Sequence, residues 1–359
     1  MKGSAGNDMR IEISKLANHF ELKKIPLPIL KSLPEYPAIV GIIENHLTKA
    51  QMRKELMLPN LHFNNDTIAV FSDFSGDSKE SLYYTYSFLF GSHDHFSFFN
   101  GKMGEIRKKY KLDSPFVEIA FKQLHYGPIK RALKDYLIAA NNLIPGLLLT
   151  IIIDKKVHSI LVENTKNTLN ELQATIKEKG LGEWDRRVAE KLLRITHIIG
   201  YFCALLSKPK QKIFWMTDDD EIVPNKEKAL ALFELWRGTL EYYAPHDYGT
   251  IGATAPCYFE DSDTKDKLMD ILSLTDLIAG SIEHYYSRAY KMNDVKIKEE
   301  VDQVLVWHTG QGVLLKKLSM IIHQGPNKGW ETGLVRFDLK GGQDYFKFEF
   351  VDEIHPSKE

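Results

Sequence analysis

Thr67-Ile68-Ala69-Val70-Phe71-Ser72-Asp73-Phe74-Ser75-Gly76-Asp77-Ser78 reads as a strand running into a turn. Its first five residues are β-branched, small or aromatic, the types that suit a pleated surface, and the rest are turn formers. A second extended run, 81–90, rich in Tyr and Phe, follows at once, so the pair predicts a hairpin around the Gly-containing turn. Outward from it the pattern becomes mixed. A helix is expected at about 115–141, a buried strand at 147–153, and helices at 162–179 and 184–206. A strand at 213–216 ends in Thr217-Asp218-Asp219-Asp220-Glu221, helices are expected at about 226–243 and 264–291, and 333–351 alternates as a hairpin around Gly341-Gly342. Strands interleaved with helices predict an α/β fold.

The chain divides on this reading into a helical N-terminal arm or cap (1–65), a core (66–292) and a C-terminal helix and β-hairpin extension (293–359). Residues 101–111 stand out as a basic segment. The 359 residues carry 47 Lys and Arg against 48 Asp and Glu, a net charge of −1. That excludes a protein held to nucleic acid by its overall field, so polyanion binding would have to use local patches. The two cysteines, Cys203 and Cys257, form no CxxC pair, which removes zinc fingers and disulfide scaffolds. No apolar run approaches the ~18–20 residues of a membrane span, and no secretory signal is visible at 1–8. The expectation is a soluble cytoplasmic protein without membrane contact.

No GxxxxGK[ST], GxSxG or HExxH motif occurs. His93-Asp94-His95 has two imidazoles but no third ligand at metal spacing. What remains is acids at strand ends: Asp73, Asp154, and Asp218 to Glu221. Two more sit in expected helices, Glu118 among apolar neighbours and Asp276 on a face with Ser273, Gly280 and Glu283. A lone acid at a strand end is often a turn or helix cap. Several converging without His or Cys suit the hard cations Mg²⁺ or Mn²⁺, and two such ions can serve phosphodiester hydrolysis.

Asp73-Phe74-Ser75-Gly76-Asp77 resembles the DESGD opening of the domain-of-unknown-function family 3800, whose members have a ribonuclease-H-like fold. Glu118 to Leu124 is similar to that family's E-I-x-F-x-x-L segment, Ile151 to Lys155 to its V-I-D-K strand, and Leu272 to Gly280 to its L-Q-x-A-D-L-I-A-G helix. Phe74 departs from the family's Glu. On a strand it would point away from the side of Asp73, leaving that carboxylate in place. The resemblance implies a ribonuclease-H-like mixed sheet flanked by helices. It puts Asp73 on the central first strand, Asp154 on the adjacent parallel strand, and Glu118 and Asp276 on the first and last core helices. Asp219 is the choice among the acids after 216.

The expected function is metal-dependent, nuclease-type phosphodiester hydrolysis. Its catalytic residues would be Asp73, Glu118, Asp154 and Asp276, with Asp219 added as a metal ligand to a two-ion Mg or Mn site. Arg107, Lys108, Lys109, Lys122 and Lys155 would meet a DNA or RNA backbone. A non-catalytic nucleic-acid or protein-binding module, or a metal phosphatase for small esters, is the alternative.

Overall fold

The strand expected at 67–71 continues to Ser75 as β1 (Thr67–Ser75). Its turn-forming residues stay in the ladder, with Ser72, Asp73, Phe74 and Ser75 opposite Phe88, Ser87, Tyr86 and Thr85 of antiparallel β2 (Tyr83–Ser92). The turn itself is set by Gly76, whose φ of 107° suits glycine. A Cβ there would lie 2.1 Å from the Tyr83 carbonyl oxygen. The protein is described by a computed structural model, which covers residues 17–113, 115–157, 159–161, 166–218, 221–289, 297–325, 329–339 and 346–350.

The remaining strands are β3 (Gly146–Asp154), β4 (Lys212–Thr217), β5 (Ile251–Thr254), β6 (Leu315–Gln324), β7 (Trp330–Leu339) and β8 (Phe346–Phe350). They form one mixed sheet in the order β5-β4-β1-β2-β3-β6-β7-β8. β4 runs parallel to both β1 and β5, β6 runs parallel to β3, and the other neighbours are antiparallel. All nine residues of β3 are buried. A strand covered on both faces can be apolar without alternation, which is why Leu147 to Ile153 reads so cleanly.

The helices are α1 (Ala38–Met52), α2 (Phe96–Tyr110), α3 (Gly127–Leu143), α4 (Lys166–Glu178), α5 (Arg186–Leu206), α6 (Lys226–Tyr243), α7 (Ser262–His284) and α8 (Glu299–Thr309). α1, α4, α5 and α6 share a core with Ile68 and Val70 of β1. α2, α3, α7 and α8 share the other core, with Ala69 and Phe71. Side chains alternate along a strand, so β1 divides its apolar residues between the two layers. Local chemistry sets the helix starts: Asp185, Asn225 and Asp261 accept backbone N–H bonds at the N-caps of α5, α6 and α7.

Several expectations change. The helix expected from about 115 begins only at Gly127. Pro128 occupies its first turn, a position where a missing N–H costs nothing. Residues 115–120 are irregular, followed by a 3₁₀ turn at Phe121–Gln123, so Glu118 lies on a loop. The basic run 101–111 belongs largely to α2, which ends at left-handed Lys111. β5 and β6 were not read from the sequence; β5 is four residues long and half-buried, and Lys316 and Lys317 break the apolar pattern of β6. Helix 264–291 ends as α7 at His284 and passes into a π turn, Tyr285–Ala289. Residues 1–16, 162–165 and 290–296 fall outside the described residues.

Within the N-terminal segment, the described part packs onto the sheet. Ile39, Val40, Ile43 and Leu47 of α1 are fully buried in the core that holds Ile68 and Val70. Among the described residues no helix is long and apolar enough to cross a membrane.

Candidate acidic site

The β1–β4 ladder ends with Ser72 opposite Thr217, and the Asp218 amide continues it by donating to the Ser72 carbonyl at 3.3 Å. Asp73 and Asp218 are therefore lateral neighbours on adjacent parallel strands. They also share a face. Phe71 and Met216, two residues earlier on each strand, both lie in the core beneath α7, and strand alternation returns Asp73 and Asp218 to that side. Ser72 and Phe74 take the opposite side. There the Trp215 indole N–H donates to Ser72 Oγ at 2.9 Å and Phe74 packs edge-on against Tyr86. Asp73 Oδ1 accepts the Phe74 amide at 2.5 Å.

α7 packs across β1 and β2 on this face. Gly280 lets the 115–123 segment approach it closely, since a Cβ at that position would meet the Phe121 ring 2.4 Å away. One turn earlier, Asp276 Oδ2 accepts the Phe121 amide at 2.6 Å. Burial first, then the charges of Glu118 and Asp218, push the Asp276 carboxyl up to about 6, against the pull of the Phe121 amide and Lys122. Glu118, Asp218 and Asp276 thus feel one another, and Asp218 links them to Asp73. Glu118 and Asp218 also line a cleft of about 670 Å³ whose walls include Phe116, Pro256, Lys265 and Gln123.

The loop that carries Glu118 is tied down by Arg107, a residue the sequence assigned to a nucleic-acid backbone. Arg107 is 6% exposed and cannot meet a nucleic-acid backbone. Its guanidinium pairs with Asp270 of α7 and stacks on Phe116, and its Nη1 donates to the Leu112 and Val117 carbonyls at 2.7 and 2.9 Å. That network ties the Glu118 loop to α2 and α7 at once.

Asp154 does not join the group. β3 pairs with β2 and β6, not with β1, which corrects the expected adjacent parallel strand. The residue level with Asp73 on β3 is Thr150. Asp154 lies four residues further along and two strands across, about 16 Å away at strand spacings of ~3.3 and ~4.8 Å. Its Oδ1 accepts the Lys156 amide, a turn cap. The acid on the parallel neighbour of β1 is Asp218, and only the β1–β4 pairing, invisible in one sequence, identifies it. Asp219 lies outside the described residues. His93-Asp94-His95 is a turn: His95 Nδ1 is 2.7 Å from Ser92 Oγ and Asp94 accepts the Asp66 amide.

The other basic candidates are mostly occupied. Lys109 pairs with Asp135 at 2.7 Å, and Lys155 donates to the Ser78 carbonyl at 2.6 Å while facing the Tyr84 ring. Lys108 and Lys122 are exposed, Lys122 close enough to Asp276 for its charge to act there. On the opposite side of the sheet, buried Lys191 pairs with Asp77 at 3.0 Å and faces the Phe74 ring, which gives the last acid of the Asp73-to-Asp77 stretch a structural partner. Cys203 is buried and Cys257 is exposed.

Compared with protein-family models, curated proteins and solved structures, the chain matches none.

Two expected results follow from this geometry. An Asp whose folded pKa is raised costs stability once it must ionise. The cost of Asp276 is absent below the unfolded value near 3.8 and complete above about 6. Without divalent metal, Asp276→Asn should therefore raise stability by up to ~3 kcal/mol at pH 7 and by nothing at pH 3.5. Denaturant unfolding at the two pH values measures it, and an equal change at both would remove the assigned crowding. Gly280→Ala forces the Phe121 ring, and with it the amide bonded to Asp276, to shift. Thermal melting should show a Tm lower by several degrees, whereas an unchanged Tm would mean that the ring gives way freely.

Proposed function

We propose that the protein is a divalent-cation-dependent phosphodiesterase of the ribonuclease-H-like class acting on nucleic acid, with Asp73, Glu118, Asp218 and Asp276 as its acidic side chains. The observation that carries this reading is the juxtaposition of Asp73 on β1 with Asp218, just past the end of parallel β4, facing the helix whose Asp276 responds to Asp218 and Glu118. The family resemblance asks for an acid on the strand parallel and adjacent to the first. Asp218 answers that requirement where Asp154 does not.

Among the described residues no three His, Cys, Asp or Glu side chains stand close enough to hold one ion between them. Of the four carboxylates, Glu118 and Asp218 border the cleft. Their chemistry nonetheless fits Mg²⁺ or Mn²⁺: every donor is an oxygen, and the charge that raises Asp276 is the charge a cation would neutralise. Asp73, Asp218, Asp276 and Glu118 would hold the metal. When bound, such ions supply an acidified water and stabilise charge on the leaving oxygen. The chain's own contribution is to hold the four carboxylates on rigid supports, two strands, a helix and the Arg107-tied loop. Lys122 and Lys265 lie nearby to meet a phosphate. The test is cleavage of DNA and RNA, single- and double-stranded, with Mg²⁺, Mn²⁺ or chelator. No metal-dependent cleavage of any of them would end the nuclease reading.

One observation favours the small-ester alternative. The cleft has the size of a small-molecule pocket, and three of the five expected backbone-binding cations are engaged within the protein. Metal-dependent turnover of a chromogenic phosphate ester, with polymers left intact, would select it.

A further inference from the structure

The paired residues of β1 and β4 end at Ser72 and Thr217, and the 3.3 Å bond from the Asp218 amide to the Ser72 carbonyl adds the last rung. Asp73 and Asp218 stand at that rung. Two carboxylates side by side repel each other, and the end of a ladder opens more easily than its middle. The charges of the acidic site thus bear on the part of the β1–β4 pairing least able to resist them.

The reverse side of the sheet carries a tie across the same two strand ends. Lys191 of α5 is 4% exposed, and its Nζ lies 3.0 Å from Asp77 Oδ2 and 3.3 Å from Glu221 Oε1. Asp77 is four residues beyond Asp73, past the Gly76 turn, and Glu221 is three residues beyond Asp218. One ammonium therefore fastens the segments that leave β1 and β4. It also stands 5.2 Å from the centre of the Phe74 ring, next in sequence to Asp73, and that ring packs on Tyr86 and Phe88. One turn earlier on α5, Arg187 adds a second hold on Glu221 at 3.2 Å. The anchor is rigid, since Ile195, Ile198 and Ile199 of α5 are fully buried in the core shared with Ile68 and Val70. A buried lysine is costly unless its charge is met. Here acids from two different strands meet it, an arrangement that fixes the strands relative to each other.

We propose that Lys191 is a positioning residue of the acidic site. From behind the sheet it holds the ends of β1 and β4 level, so that Asp73 and Asp218 present their carboxylates side by side. Its service to a metal ion rests on the proposed activity; the clamp itself does not.

Two readouts separate the clamp from the activity it would serve. Without metal, the clamp shows in hydrogen exchange at the Asp218 amide, followed by NMR. Lys191→Met keeps much of the side chain's length and loses its charge. In that variant the Asp218 amide should exchange at least about tenfold faster, and the mid-ladder amides of Val70 and Trp215 should change less. With metal, the Kd for Mn²⁺ should rise about tenfold, the lower end of what losing an outer support of a metal site costs. Unchanged exchange at Asp218, or faster exchange with an unchanged Mn²⁺ Kd, overturns the proposal. If the unsubstituted protein binds no Mn²⁺, the metal reading fails, and exchange at Asp218 alone then decides the clamp. Should Lys191→Met not fold, Asp77→Asn replaces it, because Lys191 then keeps Glu221. Both readouts should move in the same direction by less, and an Asp77→Asn protein identical to its parent in exchange overturns the proposal too.

Discussion

Replacing Asp218 with Asn should lower metal-dependent cleavage by at least ~100-fold, the upper end of what losing an outer partner of a metal site costs. Asp154→Asn should leave it within a few-fold. The two substitutions are chemically identical, and both positions follow an apolar strand, so only location distinguishes them. Asp218 continues a strand parallel to β1 and lies beside Asp73; Asp154 is beyond β2 and caps a turn. Asn keeps the volume and one oxygen but removes a negative charge from a cluster whose charges already act on Asp276. The fold should therefore tolerate Asp218→Asn, with stability unchanged or higher in the absence of metal. Steady-state cleavage and thermal melting of the two variants together make the comparison. Equal loss of activity in both would return Asp154 to the site and discard the assignment of Asp218.

Arg107→Ala should cost about 3–5 kcal/mol of folding stability, the range for removing one partner of a buried ion pair. The reason lies on both sides of the pair. Asp270 is 4% exposed, and burial already pushes its carboxyl up against the pull of Arg107; without the guanidinium it is a buried, uncompensated acid. The Leu112 and Val117 carbonyls lose their donor as well, which frees the loop bearing Glu118. Arg107→Met combined with Asp270→Leu should recover much of the stability, because well-packed apolar replacements for a buried pair are often tolerated. It should not recover full activity, since the Val117 carbonyl beside Glu118 then lacks its donor. Lys108→Ala, one residue away and exposed, should change stability by no more than ~0.5 kcal/mol. Denaturant unfolding of the three variants tests this. An Arg107→Ala protein as stable as its parent would mean that the ion pair is not formed.

Much of the architecture was legible because burial leaves a pattern. Leu147 to Ile153, Ile213 to Met216 and the helix at Lys226–Tyr243 carry continuous or periodic apolar residues, and the structure has them where the sequence expects them. What failed depends on partners distant in the chain. Arg107 looks like one of several basic residues in a row; its role comes from an acid 163 positions later. Glu118 sits among apolar neighbours that suggest a helix, but the segment is pinned by contacts to α2 and α7 instead of its own backbone. The choice between Asp154 and Asp218 turns on which strand lies beside β1. Both close an apolar strand, and no local feature separates them. Asp73 and Asp276 could be singled out because each stands out locally, one at the end of a buried strand and one among small residues on a buried helix.

The central claim, that Asp73, Glu118, Asp218 and Asp276 together hold a divalent cation, is tested most directly by anomalous diffraction from crystals grown with Mn²⁺. The account predicts an anomalous peak on the α7 side of the sheet beside Asp73 and Asp218, with the carboxylates drawn toward the ion from their metal-free positions, and its loss in crystals of Asp218→Asn. A peak at Asp154 with none at Asp73, or no bound Mn²⁺ at millimolar concentration, would contradict it.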